Sequence, residues 1–401
     1  QFGTGSNDHG LGIISDTSSN IYVTGITKGG LDGNSSAGDE DIFLTKFDSN
    51  GEKQWTKQLG TTDPDWSYAV ATDSSNNVYI SGSTEGNLDG NNLTGSVDCF
   101  LTKFNSSGTK QWTKLSGHNS AVTLCKGVSI DSSNNIYISG WTTGDLNGNT
   151  NSGSSDIFLS KYDASGNRTW TKLIGGTSDD QAYGSAIDPS GNIYVYGETG
   201  GTIDNTTSIG STDIVLIKYN SSGSKQWIQQ FGSSGVDYGD DISTDNSSNI
   251  YLTGETRGSF YGSTAHQYAF NGGGYPFLIK INSSGTKQWS SVLSDMPLPS
   301  GQGLSFSSGR GLGVINDSSS NVYITGFTTG NLDDNINSGY HDIFLTKFNS
   351  SGTKQWTKLE GSTCCTGNNS EYAYDLTIDT SDYIFITGGS TGTNNQYTSN
   401  G

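Results

Sequence analysis

Residues 342–358 read DIFLTKFNSSGTKQWTK, and residues 98–114 read DCFLTKFNSSGTKQWTK, the same segment but for one letter. Apolar and polar residues alternate on either side of Asn-Ser-Ser-Gly, so the segment predicts two β-strands joined by a tight turn. The same turn stands at 105–108, 220–223, 282–285 and 349–352. A hairpin copied this faithfully points to a repeat architecture, in which each unit packs on the next.

Upstream of each hairpin lies a second motif, D-x-S-x-N-hydrophobic-aromatic. It places equivalent aspartates at Asp16, Asp73, Asp131, Asp188, Asp245, Asp317 and Asp379, with successive spacings of 57, 58, 57, 57, 72 and 62. Seven units at one period make a single array rather than seven domains. Each unit reads as four short strands, a to d. Strand a resembles YAVATD (68–73), strand b resembles NIYVTG (20–25), and c and d form the opening hairpin. In unit 4 the a-to-b turn, Asp188-Pro189-Ser190-Gly191-Asn192, sets Pro where φ is already fixed and Gly where φ must be positive. Strand d carries Trp55, Trp112, Trp170, Trp227, Trp289 and Trp356, one per unit, and these are expected to pack sheet on sheet.

The expected fold is all-β: a seven-bladed β-propeller of four-stranded antiparallel blades, with the seventh blade incomplete. It is expected to occupy 1–401 as one domain, with units at about 4–60, 61–117, 118–175, 176–232, 233–294, 295–361, and 362–401 plus 1–3. Strands a and b occur seven times but the c–d hairpin six, and Gln1-Phe2-Gly3 matches the end of strand d at 230–232. Either the sequence is an excerpt, or the seventh blade has an edge that invites strand addition from another chain. The tract GNIYVYG (191–197), the segment DIFLTKF (41–47) and the Lys-Gln-Trp strand resemble the SBBP repeat family of seven-bladed β-propellers, over essentially the whole chain. That resemblance implies a propeller in an exported or surface setting and brings no catalytic motif to map.

Composition narrows the partners. Thirty-nine acidic against 20 basic residues leave a net charge of -19, which repels phosphate backbones, so nucleic acid is excluded as the expected partner. No run of 18 apolar residues exists, so direct membrane insertion is not expected. Few charges and abundant Asn, Ser, Thr and Gly fit a secreted or cell-surface protein. Sequons at Asn34, Asn92, Asn105, Asn220, Asn246, Asn282 and Asn349 read as glycan acceptors or simply as turn residues. Cys99 and Cys125 fall in neighbouring units, where a bridge is conceivable and a buried free thiol is the simpler reading. Cys364 and Cys365 could pair with each other or with distant partners.

No H-E-x-x-H, G-x-S-x-G or P-loop occurs, and His9, His118, His266 and His341 are scattered, so no enzyme is expected. Asp240, Asp241 and Asp375 are placed near the axis, where solvation of a wet channel is a simpler role than catalysis. All the length variation falls on the face that carries the b-to-c and d-to-a loops. There the expanded loops of units 5 and 6 bring Phe260, Tyr261, His266, Tyr268, Phe270, Tyr275, Phe306 and Arg310, with Trp66 and Trp141 on the same face. Such aromatics would either grip a glycan or protein at the cell surface or pin their own loops to the disc. Binding is the leading expectation; self-association of the disc as a subunit of a surface layer or filament is the other.

Calcium is a further candidate. Most b-to-c loops pair L-D/N-D/G-N with a later aspartate: Asp32 and Asn34 with Asp41, Asp89 and Asn91 with Asp98, Asp333 and Asn335 with Asp342. Oxygen donors at alternate positions suit Ca²⁺, while Asp-Gly pairs also make turns unaided.

Overall fold

The repeated aspartate of each unit builds its own turn. In the computed structural model, which describes residues 2–260, 273–293, 308–362 and 370–391, Asp73 Oδ1 accepts the backbone N–H groups of Ser75 and Asn77, both at 2.9 Å. Its Oδ2 accepts the Asn77 amide at 2.8 Å and the Tyr79 hydroxyl at 3.0 Å. The D-x-S-x-N-hydrophobic-aromatic motif is therefore one hydrogen-bond network written in sequence order. Its fourth residue sits at positive φ, as Asn76 does at 59° and Gly191 at 78°.

Such turns divide the chain into strands. Blade 1 comprises β1 (Asp8–Ser15), β2 (Ile21–Thr27), β3 (Asp41–Phe47) and β4 (Lys53–Leu59). Blade 2 follows with β5 (Asp65–Thr72), β6 (Val78–Thr84), β7 (Asp98–Phe104) and β8 (Lys110–Ser116), and blade 3 with β9 (Thr123–Ile130), β10 (Ile136–Thr142), β11 (Asp156–Tyr162) and β12 (Arg168–Ile174). Blade 4 holds β13 (Asp180–Ile187), β14 (Ile193–Thr199), β15 (Asp213–Tyr219) and β16 (Lys225–Phe231). Blade 5 holds β17 (Asp237–Thr244), β18 (Ile250–Thr256), β19 (Tyr275–Ile281) and β20 (Lys287–Val292). Blade 6 holds β21 (Gly309–Asn316), β22 (Val322–Thr328), β23 (Asp342–Phe348) and β24 (Lys354–Glu360), and β25 (Glu371–Ile378) pairs with β26 (Ile384–Ser390). Every sheet is an antiparallel meander.

The expectation of a seven-bladed propeller is corrected: the described residues form six complete four-stranded blades and one two-stranded partial sheet. Among the described residues the last unit contributes strands a and b, paired as β25–β26, and no c–d hairpin. The circle nonetheless closes. The first strands touch in succession, β1 on β5 and onward to β21 on β25, and β25 returns to β1. Asp375 Oδ2 accepts the Ile13 N–H at 2.9 Å, and Ser15 Oγ donates to the Ile378 carbonyl at 2.5 Å across that last junction.

The core lies between blades rather than within them. Tyr194, Ile214 and Leu216 of blade 4 pack with Ile250, Leu252 and Phe277 of blade 5, and the other junctions repeat the arrangement. Five of the six tryptophans expected to join sheets, Trp55, Trp112, Trp170, Trp227 and Trp289, are half-buried, whereas Trp356, beside the two-stranded sheet, is exposed. Trp55 packs on Tyr22 of its own blade at 6.1 Å between centroids. Its other side meets Gly108, in the c–d turn of blade 2, where an added Cβ would lie 2.9 Å from the indole. That glycine also has φ 78°, so two independent constraints hold the residue. Lys46 lies over the Tyr22 ring and donates to the Ser106 carbonyl of the next blade; Lys103, Lys161, Lys218 and Lys280 do the same in turn.

The reading of Cys99 as a buried free thiol is also corrected. Cys99 of β7 and Cys125 of β9 form a disulfide across the blade 2–blade 3 junction, with their Cα atoms 5.0 Å apart. Cys99 replaces the isoleucine of DIF, a side chain that already points at the neighbouring blade. Cys364 and Cys365 lie outside the described residues.

Candidate binding site at the propeller axis

Each first strand carries a β-bulge at the same place. The register against the second strand skips Leu11, Tyr68, Lys126, Tyr183, Asp240, Leu312 and Tyr374, one residue per unit. A bulge frees one residue from the ladder and re-aims its side chain. All seven line one axial cavity of ≈ 390 Å³. The first strands also supply that cavity with small residues such as Ala69, Gly127 and Gly184, with branched apolar ones such as Ile13 and Val128, and with Asp241 and Asp375, so the bulged side chains and these two carboxyl groups set its chemistry.

The ring is electrostatically lopsided. On one side, Arg310 of β21 clamps Asp240 of β17 through Nε and Nη2, both at 2.7 Å, and its guanidinium lies 4.8 Å from the Tyr238 ring centre. Asp241 Oδ2 accepts the Val314 N–H at 2.7 Å, as Asp375 accepts that of Ile13, so two carboxylates each tie one first strand to the next. Burial lifts the Asp241 carboxyl to about 7, and it raises Asp375 well above the ordinary carboxylate range with the Asp241 charge adding to it. Glu198 of β14 is lifted to about 7 by burial, against the hydrogen bond from Tyr183, whose hydroxyl lies 3.2 Å from Oε1; its Oε2 has no partner among the described residues.

On the other side stands Lys126. Its Nζ sits 3.3 Å from the centre of the Tyr68 ring, and burial pushes its ammonium down to about 8. Tyr68 in turn packs edge-on against Trp66, whose indole N–H is donated to Glu40.

The structure separates the residues singled out by sequence. Arg310 faces Asp240 beside the axis, and Asp240, Asp241 and Asp375 line the cavity. Phe260 is fully buried against Phe277, at 4.9 Å, and serves the core. Tyr275 opens β19 and is buried there. Trp66 is exposed at 38%, whereas Trp141 is half-buried in β10, opposite Leu124 and Ile157. Tyr261, His266, Tyr268, Phe270 and Phe306 lie outside the described residues. Sequence reasoning missed Leu11, Tyr68, Lys126, Tyr183, Leu312 and Tyr374. The available signal was that the fourth residue of strand a changes in nearly every unit while its flanks are small or repeated.

The residues considered for calcium are divided between two tasks. Asp32, Asp89 and Asp333 each receive a strand-d lysine and threonine: Lys53 and Thr56, Lys110 and Thr113, Lys354 and Thr357. Asn34, Asn91 and Asn335 turn their amide N–H groups toward the carbonyls of Leu31, Leu88 and Leu332, whose side chains are buried. Asp41, Asp98 and Asp342 accept loop N–H groups from Ala37, Thr94 and Ser338 at 2.7–2.8 Å. Among the described residues no three acidic, histidine or cysteine side chains converge as a metal centre needs, and an amide presenting its N–H side is no ligand for a cation. The donor set does not fit Ca²⁺.

Four stretches, 54–89, 111–147, 169–203 and 226–261, match the SBBP family of β-propeller repeats. The chain is 25% identical over 247 residues to an uncharacterized WD repeat-containing protein, L264, of Acanthamoeba polyphaga mimivirus, covering 47% of this chain and 18% of that one. It is 27% identical over 191 residues to the regulatory protein FlaEY of Caulobacter vibrioides, covering 42% and 19%. The chain thus spans less than a fifth of the length of these relatives. Among solved structures it is similar to the β-propeller domain of the Trilobed protease from Pyrococcus furiosus, with a TM-score of 0.45 and 8% identity over 98% of this chain and 99% of that one.

Proposed function

The chain is an SBBP β-propeller repeat protein, and on that premise we propose that it is a non-enzymatic binding module of a secreted or cell-surface protein, contacting a glycan or protein partner at the axial mouth. The observation that carries this is the ring of seven bulged residues: on a repeated scaffold, seven side chains of changing chemistry converge on one cavity. A pocket of a few hundred Å³ with a few polar groups among aromatic rings suits ligand binding. The Cys99–Cys125 disulfide supports export, since such bridges persist in oxidising compartments.

The test is an array of glycans and extracellular proteins probed with the native protein and with a Tyr68→Ala/Tyr183→Ala double variant. The reading expects ligands that the double variant loses while its melting curve stays cooperative. Ligands bound equally by both proteins would remove the axis from the account.

A second reading, a structural subunit, has one observation in its favour. Among the described residues β26 pairs only with β25, and a cleft of ≈ 380 Å³ lined by Phe2, Phe43, Phe47 and Phe385 adjoins it. Strands from another copy would bury those rings and join discs into a chain. Light scattering that stays at monomer mass as concentration rises counts against that assembly.

A further inference from the structure

We infer that the axial cavity is an acidic-sugar site, in which Lys126 holds the carboxylate of a uronic acid and the tyrosines of the bulge ring hold its pyranose. The inference rests on the axial mouth being the binding surface and goes on to name the class of ligand.

It starts from an imbalance between two cations. Arg310 is answered by a bidentate carboxylate, and Glu255 and Glu198 add to the negative field around it. Lys126 is largely buried and has no carboxylate at ion-pair distance among the described residues; the face of Tyr68 is what its ammonium meets. A ring face offsets part of the cost of taking a cation out of water, and an anion that completes the pair would gain the rest. In a chain of net charge -19, that leaves one positive point on the wall of the cavity.

A simple organic anion uses only Lys126, because the rest of the wall offers carboxyl groups, rings and apolar side chains but no second cation among the described lining residues. A sugar acid uses the rest as well. Its carboxylate goes to Lys126, and its hydroxyls, which can donate and accept, exchange hydrogen bonds with the carboxyl side of the wall. Tyr68 and Tyr183 supply ring faces for the C–H side of a pyranose, and Leu11 and Leu312 supply the apolar remainder of the ring. The cavity of ≈ 390 Å³ lies within the range of small-ligand pockets.

The test is calorimetry of the intact chain with D-glucuronate, D-galacturonate, D-glucose, acetate, and a short peptide with a free C-terminal carboxylate. At least one uronate is expected to bind roughly tenfold or more tighter than glucose and acetate. Lys126→Met is expected to abolish that preference and Lys126→Arg to retain it, with both variants melting as cooperatively as the native chain. Equal binding of glucose and uronate, or a uronate preference that survives in Lys126→Met, overturns the inference. So does a peptide carboxylate that binds while both uronates fail. A neutral sugar lost in the Tyr68→Ala/Tyr183→Ala variant would overturn the acidic-sugar inference and leave the binding-module reading standing. Ligands insensitive to every ring variant would sink both.

Discussion

The c–d hairpin and the bulged residue of strand a are two parts of the same blade, and they have opposite histories within one chain. The hairpin is nearly verbatim because each letter touches something that also repeats. Its aspartate holds the preceding loop, Phe100 and Leu101 fill the core between blades, Lys103 reaches the next turn, and Trp112 lies on Tyr79. The bulged residue touches no repeated partner. It faces the axis, where six blades and the partial sheet present different neighbourhoods, and there the sequence reads Leu, Tyr, Lys, Tyr, Asp, Leu, Tyr. In a repeat protein identity marks the joint between like units, and departure from identity marks what the assembly is for.

That contrast can be broken from the hairpin side first. Phe158 is fully buried at the blade 2–blade 3 junction, and Phe158→Ala is expected to cost about 3–5 kcal/mol in denaturant unfolding while leaving ligand affinity at the axis unchanged. A loss of affinity without a loss of stability would erase the division between scaffold and site. The disulfide comes next. Replacing Cys99 and Cys125 by alanine is expected to lower stability by about 3 kcal/mol, as expected for a bridge closing a loop of 26 residues, and added reductant should then have no further effect through that pair.

On the axial side the expected handle is pH. The folded-state carboxyl of Asp241 is raised to about 7 from the ordinary 3.8, so the folded chain holds a proton that the unfolded chain has released. Its contribution to stability is fully present below the ordinary value and is lost as pH rises through about 7. Glu198 titrates in the same sense. The melting midpoint should therefore fall between about pH 4 and pH 7, and Asp241→Asn should flatten that fall by roughly a few degrees. An unchanged slope in Asp241→Asn would show that the carboxylate is not held in the buried state described. The turn aspartates Asp73, Asp245 and Asp317 run the other way: their hydrogen bonds hold them below the ordinary range despite burial, so their contribution disappears only as pH falls through that lower range.

Smaller still is the joint made by a single lysine. Lys161→Met keeps the aliphatic stem over Tyr137 but loses the bond to the Ser221 carbonyl, and should cost about 1 kcal/mol. The smallest effect is expected from a chelator: an unchanged melting midpoint with EDTA, since Asp32, Asp89 and Asp333 face lysines. A fall in the midpoint would restore a metal to the loops.

Much of this was legible in the letters. Turn residues, the period and one tryptophan per unit led to the propeller, because local hydrogen bonding writes itself into adjacent positions. The two-strand sheet was visible as a missing hairpin, but the disc was read as seven-bladed where the described residues form six blades and a two-stranded partial sheet. The Cys99–Cys125 bridge was harder, since it depends on how far each strand lies from the axis, and period alone carries no radial coordinate. Lys126 and Tyr68 escaped for a related reason: the alignment was anchored on turns, and a bulge shows only once strands are paired. Asp240, Asp241 and Asp375 were placed near the axis from their strand, which was sufficient for position but not for partner.

The bond from each lysine to the next blade's turn gives the circle a direction, and any blade offers its successor nearly the same surface. A gene encoding such a ring can lose or gain one unit of about 57 codons by unequal crossing-over, and the new junction still offers the repeated lysine-to-turn bond. What changes is the circumference of the innermost circle and the roster of side chains around it. Copy number and specificity are therefore inherited together, and a single recombination event can redraw the axis without a point mutation in the scaffold.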